Sequence, residues 1–221
     1  MRGPMSRMAM GLVAAGLMAG CVSGSVRQMD APTTIKQREP KPEELRKKVA
    51  VAEFEDKSGY GRQQVGGPAA DILSTMLVDC EQFAVYERQQ FAKAMDELKL
   101  GQSGALDPTT VAQAGKGIGV DYVFYGTVSK CGFRRERTNL IVGYKVSQIA
   151  EVTVMCRMIH VQTQRIVFAK EGDGRASRDA SGVLGVGGSM SYDSGLFADA
   201  MRAAIDKMLD EMIDKAERTG K

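Results

Sequence analysis

Few side chains in this sequence could carry chemistry, and their spacing argues against most of it. A single histidine, His160, occurs in 221 residues, which leaves a His-centred triad or a multi-His metal site almost no material. Cys80, Cys131 and Cys156 show no CxxC spacing and so no zinc or redox signature. They read as small buried apolar side chains, with a Cys131–Cys156 bridge across neighbouring strands as the alternative in an oxidising compartment. Glu55 and Asp56 offer paired carboxylates, but adjacent residues on a strand point to opposite faces, and a turn accounts for Asp56. The glycine-rich "GVLGVGG" at Gly182–Gly188 lacks the Lys-Ser/Thr of a phosphate loop and the strand-to-helix context of a dinucleotide site. These residues assign no catalytic group, no metal and no cofactor, and they point away from an enzyme.

The chemistry that remains is at the N-terminus. Arg2 and Arg7 precede an apolar run, Met8 to Met18, shorter than the ~20 residues a bilayer span takes. With its basic flank and the small residues behind it, residues 1–20 read as a secretory signal. "LMAGC", Leu17 to Cys21, resembles the lipobox of bacterial lipoproteins, with Met18 where leucine is usual. That resemblance implies cleavage before Cys21 and a diacylglyceryl thioether on its sulfur. Several acyl chains hold a protein on a membrane stably, since each buried CH₂ contributes about 0.8 kcal/mol. Val22, in place of an aspartate after the cysteine, implies the outer membrane, at its periplasmic face. Loss of Arg2 and Arg7 with the signal takes the formal charge from +3 to +1, a balance that does not suggest a nucleic-acid partner.

Behind the cysteine, residues 21–46 read as a lipidated, extended tether, because Pro32, Pro40 and Pro42 fall among charged residues without hydrophobic periodicity. A domain over 47–221 opens on a buried strand with Val49, Val51 and Phe54, ended by "DKSG". Gly66-Gly67-Pro68 starts a helix in which Ala69, Ile72, Leu73, Met76 and Leu77 share one face. A short strand "FAVYE" follows, then a helix from about Arg88 with Phe91, Met95 and Leu98 on one side. Asp107 caps a third helix with Pro108 at its first position, and "GKGIG" ends it. "VDYVFYGTV" is the next buried strand. Strands alternating with helices imply an α/β domain whose core sheet is largely parallel up to Val128.

The pattern then changes. From Leu140 to Met158, alternate positions are apolar apart from Gln148, while Asn139, Lys145, Ser147, Glu151, Thr153 and Arg157 fill the other parity; this is a two-faced strand far longer than the usual five or six residues. A turn at "VQTQR" leads to the strand "RIVFAK". The chain closes on a helix with a stripe of Phe197, Met201, Ala204, Ile205, Met208, Leu209, Met212 and Ile213, which suits packing on the sheet.

"VAVAEFEDKSG", "FAVYERQQFAKAMDELKLGQSG", "GKGIGVDYVFYGTVS" and the closing strand, turn and helix, in this order and with the lipobox, resemble the CsgG family of outer-membrane lipoproteins over most of residues 48–217. The resemblance implies a three-layer-like periplasmic α/β domain with a mixed sheet, and two β-hairpins per subunit that join an oligomeric transmembrane barrel. It also implies diffusive, ATP-independent export of unfolded curli-like fibre subunits, with self, the fibre subunits and accessory assembly proteins as partners. Gly126–Val161 and Arg165–Leu196 are each long enough for such a hairpin, at roughly 30 to 36 residues. Leu140, Val142, Tyr144 and Val146 would meet lipid in the first, and Leu184, Val186, Met190 and Tyr192 in the second. The cluster Arg134, Arg135, Glu136 and Arg137 would then sit at a water-exposed tip or in the lumen. The charges of "KEGDGRASRD" would have to lie near an interface, because a cation facing lipid at mid-bilayer costs about 2–4 kcal/mol. A loop after the first strand narrows the pore in the family; here "SGYGRQQVGG" offers Tyr60, Arg62, Gln63 and Gln64. The competing reading is a non-channel periplasmic adaptor lipoprotein, such as a penicillin-binding-protein activator, to which charged arms in a soluble sheet are equally suited.

Overall fold

A computed structural model describes residues 25–28, 38–60, 65–99, 107–141, 143–182 and 194–219. In chain order these form β1 (Ser25–Gln28), a short 3-10 turn (Glu43–Leu45), β2 (Lys47–Val51), β3 (Glu55–Asp56), α1 (Gly66–Asp79), β4 (Phe83–Val85), α2 (Arg88–Lys99), α3 (Pro108–Ile118), β5 (Tyr122–Leu140), β6 (Gly143–His160), β7 (Arg165–Gly182) and α4 (Ser194–Thr219). The strands make one mixed sheet in the order β1-β7-β6-β5-β2-β4, with β3 beside β5. As the alternation predicts, β2 pairs in parallel with both β4 and β5. From β5 onward the ladder is antiparallel, an uninterrupted meander of three long strands.

Both faces of the parallel part of the sheet are covered. Along β2, Val49 and Val51 point to one face and Ala50 to the other, and all three are buried because a strand between two helix layers has no wet side. The Val49 face packs against α1 and α4 with Leu73, Leu77, Ile205, Met208 and Leu209. The Ala50 face packs against α2 and α3 with Phe91, Met95 and Val111. The result is three α/β/α layers. At α3, Asp107 accepts a hydrogen bond from the Thr110 amide at 3.2 Å and Gly119 closes the helix at φ +76°, the left-handed conformation that favours glycine there.

Two long strands reverse their apparent pattern. In β5 a register shift between Val128 and Lys130 moves the core-facing parity from Tyr122, Phe124 and Val128 to Cys131 and Phe133. A bulge of this kind adds one residue to one strand only. In β7 the core-facing positions Gly172, Gly174 and Ala176 follow Phe168, so the inward face is made of small residues under α4. An added Cβ at Gly174 would overlap the Ala200 carbonyl, so the helix backbone lies directly on the strand.

The register overturns the Cys131–Cys156 bridge. Cys131 sits opposite Val152 and Cys156 opposite Gly126, four rungs apart or about 13 Å at ~3.3 Å per residue, whereas a disulfide needs Cα atoms within ~7 Å. Both thiols are free and buried, in keeping with the blander reading.

Within the stretch read as a tether, residues 38–46 dock on the domain. Arg38 pairs with Asp214 at 2.7 Å and Lys41 with Glu217 at 2.6 Å, while Gln82 donates to the Glu39 carbonyl at 2.9 Å. Further upstream, β1 adds antiparallel to β7.

Candidate functional site

The loop after β2 is organised by Asp56. Its carboxylate accepts from the Ser58 amide and hydroxyl at 2.9 and 2.7 Å, and from the Val65 amide at 3.1 Å, so one side chain ties both ends of the loop and offers an acceptor at the start of α1. Partial burial opposes the charge, but the three hydrogen bonds outweigh it and hold Asp56 below the ordinary carboxylate range. At Gly59 the chain adopts φ +66°. Tyr60 then turns inward: its ring lies 5.1 Å from that of Phe197 on α4, and Phe197 lies 6.0 Å from Phe133 on β5. Arg62, Gln63 and Gln64, the remaining candidates for a pore-lining loop, lie outside the described residues.

The long hairpin has a covered part and a projecting part. Ala150, Val152, Val154, Cys156 and Met158, the apolar parity of β6, are at most 1 % exposed and belong to the core under α4. The Tyr122 hydroxyl donates to the Ala216 carbonyl at 3.0 Å near one end of α4, and Phe133 meets Phe197 near the other. Beyond Phe133 only residues 134–140 of β5 and 143–149 of β6 remain, about 23 Å of strand at ~3.3 Å per residue. A barrel-spanning strand takes ~9–11 residues. In this projecting part Tyr144 is half-buried with the Arg137 guanidinium 4.4 Å above its ring, and Val146 is buried. Leu140 ends β5 opposite Gly143; its side chain lies outside the described residues, as do Val142, Leu184, Val186, Met190, Tyr192 and Cys21. Of the second hairpin region, the outgoing arm is β7, a third strand of the meander.

The charges of that arm form a network with their neighbours. Glu151 on β6 bridges Arg134 at 3.2 Å and Arg175 at 3.6 Å, Asp179 holds Lys145 at 2.9 Å, and Lys170 reaches Glu211 on α4 at 2.6 Å. Thr153 donates to Asp173 at 2.6 Å, and Lys207 of α4 donates to the Asp173 carbonyl at 2.7 Å. Lys130, Glu151, Thr153, Asp173, Arg175 and Lys207 line an open polar cleft of about 370 Å³. Sequence reasoning did not single out this cleft, although "EGDGRA", Glu171 to Ala176, carries its signal: small residues on the inward parity and charged ones on the outward. Burial raises Cys131 to about 11, with Asp56 adding to the effect, and raises Cys156 further still, which disfavours the thiolate at both positions. Among the described residues no cluster of His, Cys, Asp and Glu could hold a metal ion, and no helix is long and apolar enough to cross a membrane.

A family model described as "Curli production assembly/transport component CsgG" matches residues 29–220. The chain belongs to the CsgG family. The chain is also similar to a protein from Neisseria meningitidis serogroup B named as a lipoprotein (NMB1126/NMB1164), 26% identical over 214 residues that cover 92% of this chain and 91% of the relative. Solved structures similar in shape include the LpoB C-terminal domain from Salmonella enterica, at 18% identity and TM-score 0.42 over 57% of this chain and 81% of that one. They also include lipoprotein GNA1162 from Neisseria meningitidis, at 13% identity and TM-score 0.44 over 74% and 99%, and a PelC dodecamer from Paraburkholderia phytofirmans, at 16% identity and TM-score 0.40 over 85% and 96%.

Proposed function

We propose that this CsgG-family chain is a lipid-anchored envelope protein, held at the periplasmic face of the outer membrane through Cys21, whose α/β domain acts without catalysis as a protein-binding adaptor. The observation that supports it is the docking of α4 on the meander. Leu196, Phe197, Met201, Ile205, Met208, Leu209, Met212 and Ile213 are buried there, a gross transfer gain of about 1.5–3 kcal/mol each before the chain entropy that release of the helix would return. While α4 stays in place on the meander, the projecting strands are too short to span a bilayer. Pull-down of the acylated protein from its own envelope tests the reading. Recovery of a cell-wall synthase supports it; recovery of fibre subunits alone contradicts it.

The second reading is a ring of copies that exports curli-like fibre subunits. It draws on the family match to an assembly/transport component across 29–220 and on the length of the β5–β6 hairpin. In it Tyr60, Arg62, Gln63 and Gln64 line the pore, and Leu140, Val142, Tyr144 and Val146, with Leu184, Val186, Met190 and Tyr192, face lipid. Discrete conductance steps after reconstitution into a planar bilayer would favour this reading; a silent bilayer would favour the adaptor.

A further inference from the structure

The strand β1 connects two observations that the adaptor reading leaves separate: where the anchor lies, and why the far end of the meander is both basic and apolar. β1 pairs with β7 in the register Ser25↔Asp179 to Gln28↔Ala176. β7 itself runs from Arg165, beside His160, to Gly182, beside Tyr144 at the hairpin tip. Going back from Ser25 toward Cys21 therefore leads toward the tip. Four residues reach at most about 14 Å. Ser25 is level with Asp179 and Ser147, and from Ser147 to Gly143 at the tip is about 13 Å at ~3.3 Å per residue. The cysteine can thus stand at the same level as the turn at Ile141.

That turn has the chemistry of a membrane interface. Ile141 is fully exposed, the most exposed large apolar side chain among the described residues. Behind it, residues 134–149 carry Arg134, Arg135, Arg137 and Lys145 against the single carboxylate Glu136. Arg134 is compensated by Glu136 and Glu151, and Lys145 by Asp179; Arg135 and Arg137 have no carboxylate within ion-pair distance among the described residues. Cationic side chains are drawn to an anionic leaflet, and acyl chains hold best when a second signal assists them.

We infer that β1 acts as an orienting strap: it fixes the domain with the Ile141 tip, Arg135 and Arg137 against anionic phospholipid headgroups, and with the opposite end, at Gln162, directed away from the membrane. This rests on the reading of Cys21 as the acylated anchor. The chain contains no tryptophan, so Ile141→Trp and Gln162→Trp each introduce a sole reporter. The acylated variants are reconstituted into vesicles of phosphatidylethanolamine and phosphatidylglycerol, with brominated phosphatidylglycerol as quencher. The inference predicts a blue-shifted, quenched emission for Ile141→Trp and an unquenched, water-like emission for Gln162→Trp. It also predicts loss of the Ile141→Trp shift when Arg135→Glu and Arg137→Glu are added or when phosphatidylcholine replaces the anionic lipid. Water-like emission from both reporters overturns it, as does equal quenching of both. A shift that depends on protein concentration in detergent without vesicles also overturns it, by showing that a second copy covers the tip. Absence of acyl mass on the Cys21 peptide removes the anchor reading and this inference together; an exposed tip reporter on an acylated chain removes this inference alone.

Discussion

Replacing Gly174 by alanine should loosen the helix on which the account depends. An added Cβ there overlaps the Ala200 carbonyl and lies 2.6 Å from the Ala204 amide nitrogen; at Gly172 it overlaps the Ala204 carbonyl and lies 3.1 Å from Met208 Cε. The main obstacles are the backbone of α4, which cannot rotate aside as a side chain can, so the helix or strand must move. Overpacking of this kind costs about 1–3 kcal/mol, partly offset by the ~0.5–1 kcal/mol of chain entropy that glycine loses on folding. A net loss of about 1–2 kcal/mol corresponds to a fall in Tm of about 2–8 °C for a domain of this size. The matched control is Gly132→Ala, where nothing lies within 4 Å of the new Cβ and Tm should hold or rise slightly. Thermal melts followed by circular dichroism measure both. If Gly174→Ala melts with Gly132→Ala, α4 does not lie on β7 as described and the argument from its burial fails.

Asp56→Ala removes the acceptor of three hydrogen bonds and should cost about 1 kcal/mol by urea titration, since Asp56 is only partly shielded from solvent and each net hydrogen bond is modest. Because the folded protein holds Asp56 below its ordinary 3.8, its contribution is fully present above that pH and is lost as pH falls through the lowered value; the wild type should therefore lose its advantage over Asp56→Ala only in that acid range. Thiol titration of the native domain should modify Cys80 alone and slowly, with Cys131 and Cys156 reacting only after denaturant is added; two missing thiols in denaturant would restore the bridge that the strand register excludes. Tyr122→Phe removes the buried bond to Ala216 and should cost about 1 kcal/mol, with no change if that carbonyl finds water instead.

Much of this fold can be read in the sequence because the α/β part obeys local rules. Asp107-Pro108 and Gly119 mark the ends of α3, the apolar spacing of Ala69 to Leu77 marks the buried face of α1, and the single parity from Tyr144 to Met158 marks β6, although Leu140, read as the first residue of the same strand, ends β5 on the other side of the turn. The neighbouring strands are harder for physical reasons. In β5 the shift after Val128 breaks the parity that would have shown Cys131 and Phe133 to be core positions. In β7 the inward face is Gly172, Gly174 and Ala176, chosen for the close approach of α4, so an alternation exists but not one of hydrophobicity. The same apolar parity in β6 suits either lipid or a helix, and periodicity has no means to tell them apart; the terminal stripe from Phe197 to Ile213 decides it only once both are placed in one structure. The pairing of β1 with β7 had no signal at all, since four residues carry too little pattern.

Hydrogen exchange of α4 in the acylated protein, reconstituted into phosphatidylethanolamine and phosphatidylglycerol vesicles, tests the central claim most directly. An adaptor with α4 docked on β6 and β7 predicts that the amides from Leu196 to Ala216 exchange slowly, with protection equal to that of β5 and β6 and unchanged from the protein in detergent. Rapid exchange throughout α4 on vesicles, with β5 and β6 still protected, would mean that the helix has left the sheet and that the strands face lipid, contradicting the account.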